Sequence, residues 1–231
     1  MLELKDIKLS YGDKKILEDV NVSFAEGTVS VISGASGSGK SSLIKLLNGV
    51  IPQFVNADVK GGIIVDEEDI SQKDVAARSD FISTVFQNPK SQFYSINTTD
   101  EIVFALENRN LPKDEIVDTV REYTEILGTK KLLDRDIFKL SGGEKQLVAI
   151  TAVACMKQKV YIFDEPSASL DIDAIKRLKS AIKILKELGK IIIIVEHRLY
   201  YLKDILDKLY TIEDAKLIEL ESIDEESIKI H

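Results

Sequence analysis

A glycine-rich stretch near the N-terminus carries the clearest chemistry in the sequence. Gly34-Ala35-Ser36-Gly37-Ser38-Gly39-Lys40-Ser41-Ser42 follows an apolar run that begins at Val29 and opens a helical pattern. Glycines in this setting let backbone N–H groups converge on a phosphate beside the positive end of a helix dipole. Lys40 would place a charge against the β- and γ-phosphates, and the Ser41 hydroxyl would bind Mg²⁺. The pattern predicts a nucleotide-phosphate site; the alternative is a glycine turn without a ligand.

Two adjacent carboxylates supply a second piece of chemistry. Asp164 and Glu165 end the apolar run Val160 to Phe163, and ligands bind at the ends of parallel strands. Asp164 could hold Mg²⁺, directly or through water, and Glu165 could orient and deprotonate an attacking water. Alone, the pair could be an acidic turn. The phosphate loop by itself leaves kinases, GTPases and many ATPases open, and the carboxylates downstream of it narrow that choice.

The elements around these motifs indicate an α/β protein. Alternating residues from Leu2 to Leu9 and from Ile16 to Phe24 predict an antiparallel pair of strands. The nearly continuous apolar runs at Val29, Val160 and Ile191 are typical of parallel strands covered on both faces. Helical patterns connect these runs, at Lys40 to Leu47, Ser141 to Met156, and Asp171 to Leu188. We therefore predict a P-loop NTPase core with a mainly parallel sheet and an N-terminal antiparallel β-subdomain.

A helical subdomain is predicted within this core. Residues from about 97 to 136 are helical in pattern, with Thr98 and Glu101 as a possible capping box and a second helix from Lys113 to Leu127. We expect one domain over residues 1–221, with the helical subdomain set into it. The polar residues 222–231 form a predicted tail.

Composition limits the class of protein. The 231 residues are 44% hydrophobic and 30% charged, enough for a substantial core, and the formal net charge of −8 argues against broad binding to nucleic acid. The single cysteine, Cys155, rules out an internal disulfide and fits a reducing compartment. The N-terminus lacks a secretory signal pattern, and no run reaches the roughly 18 apolar residues of a spanning helix. We expect a cytoplasmic chain that works at a membrane only through a partner.

A third motif identifies a family. Leu140-Ser141-Gly142-Gly143-Glu144-Lys145-Gln146 closely resembles the signature of ABC ATPases, with Glu144 where the commonest form has Gln. Ser141 and Glu144 also fit a helix capping box. The two interpretations are compatible, because the resemblance implies that this helix N-terminus faces the γ-phosphate of ATP held by another subunit. Two glycines just after a cap are poor for helix propensity, which favours the functional interpretation.

The resemblance to ABC ATPases, which covers roughly Leu2 to Leu220, implies roles for four further residues. Tyr11 resembles the aromatic residue that stacks on adenine, although a strand-end tyrosine is also ordinary. Gln87 resembles the glutamine that senses Mg²⁺ and water and couples to a transport partner, and His197 resembles the histidine that contacts the γ-phosphate. Asp171 resembles part of a loop at the dimer interface, or it is simply the N-cap of the next helix.

One stretch resembles a subgroup of these ATPases. Residues from Phe86 to Phe93, followed by Thr99 to Asn108, look like the ATPase of energy-coupling-factor importers of a vitamin or transition-metal ion. That resemblance implies an ATP- and Mg²⁺-dependent ATPase that pairs with a second such subunit, identical or paralogous. It also implies an integral-membrane coupling subunit, contacted near Gln87 to Phe93 at the cytoplasmic face of the membrane. The alternative is a soluble ABC ATPase of iron–sulfur cluster assembly or another non-transport role.

Overall fold

The computed structural model describes residues 1–88 and 92–220, which form ten strands and seven α-helices. The strands are β1 (Leu2–Tyr11), β2 (Lys14–Phe24), β3 (Val29–Ser33), β4 (Asp58–Val65), β5 (Glu68–Asp69), β6 (Ile82–Val85), β7 (Val160–Asp164), β8 (Ile191–Val195), β9 (Lys208–Glu213) and β10 (Lys216–Glu219). The helices are α1 (Lys40–Leu47), α2 (Val50–Gln53), α3 (Val75–Arg78), α4 (Thr98–Asn108), α5 (Lys113–Ile126), α6 (Gly142–Cys155) and α7 (Ile172–Glu187).

The N-terminal strands form an antiparallel sheet in the order β2-β1-β4-β5. The predicted pairing of β1 with β2 is confirmed, because Leu2 lies opposite Phe24 and Tyr11 lies opposite Lys14 across the turn. Sequence patterns did not indicate β4 and β5. This sheet places Tyr11 at the end of β1, next to the phosphate loop.

A second, six-stranded sheet forms the centre of the fold, in the order β10-β9-β3-β8-β7-β6. Its strands are parallel from β9 to β6, and only β10 runs antiparallel to its neighbour. The predicted α/β fold is therefore confirmed. Since β3, β7 and β8 run in the same direction, the residues that follow them meet at one edge of the sheet.

Two hydrophobic cores lie on opposite faces of this sheet, and its apolar strands contribute side chains to both. On β8, Ile192 and Ile194 pack into the core that includes α6 and α7, whereas Ile193 packs with α1 and the N-terminal sheet. A strand that is buried on both faces exposes no side chain to water, so apolar residues are favoured at every position. This explains the continuous hydrophobic runs of these strands. Cys155 lies buried in the first core, and burial raises the pKa of its thiol to about 12.

The predicted helical segment contains α4 and α5, which pack against each other and against α6. The capping prediction at Thr98 is wrong. Asn97 is the N-cap of α4, because its side chain accepts hydrogen bonds from Thr99 N and Asp100 N, whereas the Thr98 hydroxyl donates to Leu132 O at 2.6 Å. The boundaries of a single domain with a helical subdomain stay predictions, and the predicted tail lies outside the described residues. Within the described ranges, no helix has the length and apolar composition needed to cross a bilayer.

Candidate active site

The phosphate loop connects β3 to α1 through a backbone that requires glycine. Gly39 is the N-cap of α1 and has a left-handed backbone with φ of 114°. A Cβ at this position would lie 3.0 Å from Ile16 Cγ2, so both the torsion and the space disfavour a side chain. The loop therefore presents its backbone, with the N-terminus of an eight-residue helix behind it.

Lys40 is the first residue of α1, directly after this loop, and is 5% exposed. Its Nζ donates hydrogen bonds to Gly34 O at 2.7 Å and to Ala35 O at 2.8 Å. Burial lowers the pKa of Lys40, and the negative charges of Glu165 and Asp164 oppose that shift. The Ser38 hydroxyl is buried without a hydrogen-bond partner among the described residues, which leaves a donor for an anionic ligand.

A cavity of about 260 Å³ collects most of the residues that the sequence assigned to nucleotide binding. The Tyr11 hydroxyl lies 3.2 Å from Ser42 Oγ on its wall. The wall consists of Tyr11, Lys14, Ile16, Ser36, Gly37, Gly39, Lys40, Ser41, Ser42, Glu165 and His197. The β- and γ-phosphate residues, the expected adenine contact and the expected water-activating carboxylate thus face one space.

Glu165 stands at the centre of the predicted hydrolytic group. Its Oε2 accepts a hydrogen bond from Gln87 Nε2 at 2.9 Å, and its Oε1 lies 3.4 Å from His197 Nε2. The backbone of Glu165 is left-handed, with φ of 43°, and its N–H donates to Val195 O at 2.8 Å. Strained backbone of this kind persists where the surroundings fix it, and it occurs often at active sites. The structure therefore brings together the three residues assigned to hydrolysis.

Asp164 occupies a position with unfavourable electrostatics for a lone carboxylate. Burial raises its pKa, the neighbouring Glu165 charge adds to the increase, and Lys40 opposes it. Ser41, Asp164 and Gln87 offer only oxygen ligands, as Mg²⁺ prefers. The described residues contain no group of three or more His, Cys, Asp or Glu that could hold a metal. This donor set fits an ion that keeps water and phosphate oxygens as its other ligands.

The signature residues lie at the start of α6, away from the cavity of the phosphate loop. Both bonds of the predicted capping box are present: Glu144 N donates to Ser141 Oγ at 3.3 Å and Ser141 N donates to Glu144 Oε2 at 2.9 Å. The hydrogen bond that Ser141 N donates to the Glu144 carboxylate, with a smaller contribution from the Ser141 side chain, lowers the pKa of Glu144. Gly142 lines a different cleft, shared with Gln87, Leu140 and Leu170. The cavity of the phosphate loop and the cleft beside the signature residues are therefore two separate surfaces of one chain.

Gly143 and Asp171 connect the signature helix to the start of α7. A Cβ at Gly143 would lie 2.4 Å from Ala174 Cβ, so the two helices meet where only glycine fits. Asp171 is the N-cap of α7, and its Oδ1 accepts a hydrogen bond from Ala174 N at 2.7 Å. The alternative interpretation of Asp171 as an N-cap thus holds, and its role in a dimer loop stays a prediction.

Sequence reasoning missed three residues of this region. Lys14 and Ile16 line the cavity because β2 begins directly opposite Tyr11. Their position could have been predicted from the turn at Gly12, because a hairpin places the first residues of its second strand beside the last residues of its first strand. Glu196, next to His197, is buried and received no role from the sequence.

Comparisons with known proteins agree with this geometry. Residues 17–168 match the family model described as ABC transporter. A Treponema denticola protein, provisionally described as an ABC transporter ATP-binding protein, is 41% identical over 219 residues, which cover 94% of this chain and 45% of the relative. A Pyrococcus horikoshii protein with the same provisional description is 34% identical over 94% of this chain and 82% of its own length.

A solved structure is similar over most of the chain. CbiO1 of Clostridium perfringens, described as part of the ABC transporter complex CbiONQ, has a TM-score of 0.84 and 31% identity. The match covers 94% of this chain and 86% of that one. The chain spans about half the length of several curated relatives that it matches, 45% of two and 41% of two others.

Proposed function

The chain belongs to the ABC transporter family of ATP-binding domains, and from this premise we propose that it hydrolyses ATP to drive an importer of the energy-coupling-factor type. The observation that carries the proposal is the position of Glu165, in contact with Gln87 and His197 at the wall that also contains Lys40 and Tyr11. A phosphate loop, a water-activating carboxylate and an aromatic base contact in one cavity are the parts that ATP hydrolysis needs.

The proposed reaction is attack of water on the γ-phosphate. Lys40 and the backbone of the loop hold the β- and γ-phosphates, and the Glu165 carboxylate accepts a proton from the water as its oxygen bonds to phosphorus. The bond to the β–γ bridging oxygen breaks and leaves ADP. Ser41, Asp164 and Gln87 would hold Mg²⁺, which would neutralise negative charge on the phosphate oxygens. Gln87 and His197 orient Glu165 and the γ-phosphate.

A second ATPase subunit completes the site in this proposal. The residues from Ser141 to Glu144 do not line the cavity of the phosphate loop, and Gly142 lines a different cleft, which supports a role of this helix N-terminus against ATP held by a partner. Two cassettes would then enclose two ATP molecules, and each ATP would contact Lys40 of one subunit and Ser141 of the other. The partner is a second copy or a paralogue.

An exposed aromatic surface supports the membrane partner. Tyr94 is 79% exposed and stacks on Phe104 with ring centroids 5.0 Å apart, and Ile96 is 67% exposed nearby in sequence. Exposed apolar groups of this kind favour protein contacts. They follow the expected contact from Gln87 to Phe93, of which residues 89–91 lie outside the described residues. We infer that an integral-membrane coupling subunit binds here and holds the chain at the cytoplasmic face of the membrane.

The proposal for the cargo rests on the sequence between Phe86 and Asn108, which resembles the ATPases of energy-coupling-factor importers. We propose a vitamin or a transition-metal ion, selected by a separate membrane subunit. The soluble alternative, an ABC ATPase of iron–sulfur cluster assembly, would use the same hydrolytic residues. It would have no need of a hydrophobic membrane subunit at Tyr94 and Phe104, so the partner distinguishes the two functions.

Isolation of the protein from gently solubilised native membranes, with an ATPase assay on the product, tests this proposal. We expect a polytopic coupling subunit and a small integral-membrane binding protein to accompany it. Tyr94→Ala combined with Phe104→Ala should release the coupling subunit, whereas Ile218→Ala, a matched change of an exposed apolar residue on β10, should retain it. Recovery with soluble partners alone would refute transport and leave the ATPase intact.

A further inference from the structure

Glu196 places a carboxylate in the interior, directly between two functional segments. The residue follows β8, is 2% exposed, and its N–H donates to Ile32 O on the strand before the phosphate loop. Its Oε1 accepts hydrogen bonds from His197 N at 2.8 Å and from Arg198 N at 3.1 Å. The carboxylate thus binds the backbone amides of His197 and of the residue after it, and it fixes the backbone that carries the His197 side chain.

The second carboxylate oxygen reaches a different segment of the chain. Glu196 Oε2 accepts a hydrogen bond from Tyr201 OH at 3.0 Å and a longer one from Ser167 N at 3.4 Å. Ser167 is fully buried and lies between Glu165 and Asp171. One side chain therefore links the loop after Glu165 to the segment that carries His197.

The hydrogen-bond donors to the Glu196 carboxylate carry no formal charge. They are three amides and one phenol, so none of them compensates the charge as an ammonium or guanidinium would. Burial and the Glu196 charge raise the pKa of the Tyr201 hydroxyl, which therefore stays protonated and acts as a donor. An apolar residue in the same space would leave these donors without their acceptor, so the position requires a side chain that accepts several hydrogen bonds.

We propose that Glu196 is a positioning residue for ATP hydrolysis. Its carboxylate fixes His197 relative to the loop from Glu165 to Asp171, so that the γ-phosphate contact, the water-activating carboxylate and the partner-facing loop keep one geometry. This inference rests on the proposed ATPase function. It assigns no direct contact with ATP to Glu196, because the side chain lies inside the fold and does not line the cavity.

The substitution Glu196→Gln tests the link with little change of shape. The amide keeps one oxygen for His197 N and Arg198 N but turns an N–H₂ group towards Ser167 N, where an acceptor is needed. We expect turnover per bound ATP to fall about 10- to 100-fold, as small misplacements near reacting groups do, with ATP affinity and stoichiometry unchanged. The amides of Ser167, His197 and Arg198 should exchange hydrogen faster, measured by NMR.

Two variants keep the test decisive. Tyr201→Phe removes one donor and leaves the amide bonds, so a smaller loss of turnover per bound ATP is expected. Thr124→Val is the matched control for loss of a buried hydrogen bond, because the Thr124 hydroxyl donates to Val120 O within α5 and lies outside the cavity. It should lower stability and leave turnover per bound ATP and the amide exchange near Ser167 unchanged.

The outcomes separate this inference from the proposed function. ATPase activity in the wild-type assembly, with unchanged turnover in Glu196→Gln and in Tyr201→Phe, would overturn the positioning role alone. An equal loss in Thr124→Val would also overturn it, since any loss of stability would then suffice. A wild-type assembly that binds no ATP would refute the proposed function itself.

Discussion

Gly143→Ala is expected to damage hydrolysis through packing between α6 and α7. The added methyl would lie 2.4 Å from Ala174 Cβ and 3.4 Å from Ala174 Cα. Carbon atoms in contact prefer separations of about 3.5–4.0 Å, so the start of α6 must move by on the order of 1 Å. That displacement would carry Ser141 and Gly142 away from the position that we propose for them against ATP held by a partner.

The magnitudes for stability and for activity differ. Overpacking costs about 1–3 kcal/mol, and the better helix propensity of Ala offsets up to about 1 kcal/mol of that. A displacement of about 1 Å costs about 100-fold in rate, equivalent to about 2.7 kcal/mol in activation free energy. Phosphate release at saturating ATP should therefore fall about 100-fold while the free energy of unfolding, measured in urea, falls by about 2 kcal/mol or less.

Ala174→Gly provides the rescue. It removes the methyl group that the side chain introduced by Gly143→Ala would meet, and it should cost about 1 kcal/mol of stability because glycine is poor within α7. The double variant should thus regain turnover while the glycine in α7 lowers its stability. An inactive double variant would refute the packing argument and would assign Gly143 a direct contact with the nucleotide.

Two further predictions concern the cavity and the dimer. Since burial and Glu165 raise the pKa of Asp164, its contribution to stability is complete below the unfolded pKa and is lost as pH rises through the folded pKa. Asp164→Asn should therefore raise the melting temperature of the ligand-free protein at pH 7 but not at about pH 3, as measured by thermal denaturation. The same substitution should abolish hydrolysis. An unchanged melting temperature at pH 7 would contradict the stability prediction. Lys40→Ala and Ser141→Arg should each be inactive. If the chain pairs with its own copy, an equimolar mixture should regain about a quarter of wild-type turnover, because about half of the dimers are mixed and each mixed dimer keeps one of its two sites. An inactive mixture in the ATPase assay would contradict that pairing.

The sequence predicted best where the local pattern determines the structure. The continuous apolar runs at β3, β7 and β8 admit no other element of that length, and the residues after them necessarily meet at one sheet edge. The Ser141–Glu144 capping box likewise depends only on residues three apart. These features are enough to assemble Lys40, Glu165 and His197 in advance of any structure.

Long-range contacts decided the features that the sequence did not predict. Asn97 and Thr98 are both good N-cap residues, and the bond from Thr98 to Leu132 selects Asn97. The strand β4 pairs with β1 and contains Gly61, where a Cβ would lie 2.5 Å from Lys5 O. Glycine is needed for this close contact, and it interrupts the alternation of apolar and polar residues by which a strand is recognised in the sequence. Glu196 resembled an ordinary charged residue, because its bonds to Ser167 and Tyr201 exist only in the folded chain.

The rate of phosphate release in Glu165→Gln tests the central claim most directly. The glutamine keeps the shape of the side chain beside Gln87 but cannot accept the proton from water, so we predict a loss of about 10²–10⁴ in turnover with ATP binding retained and closed dimer accumulating. Glu122→Gln, the same change at an exposed position on α5, should match the wild type. Unchanged turnover in Glu165→Gln would contradict the assignment of Glu165 as the group that activates water.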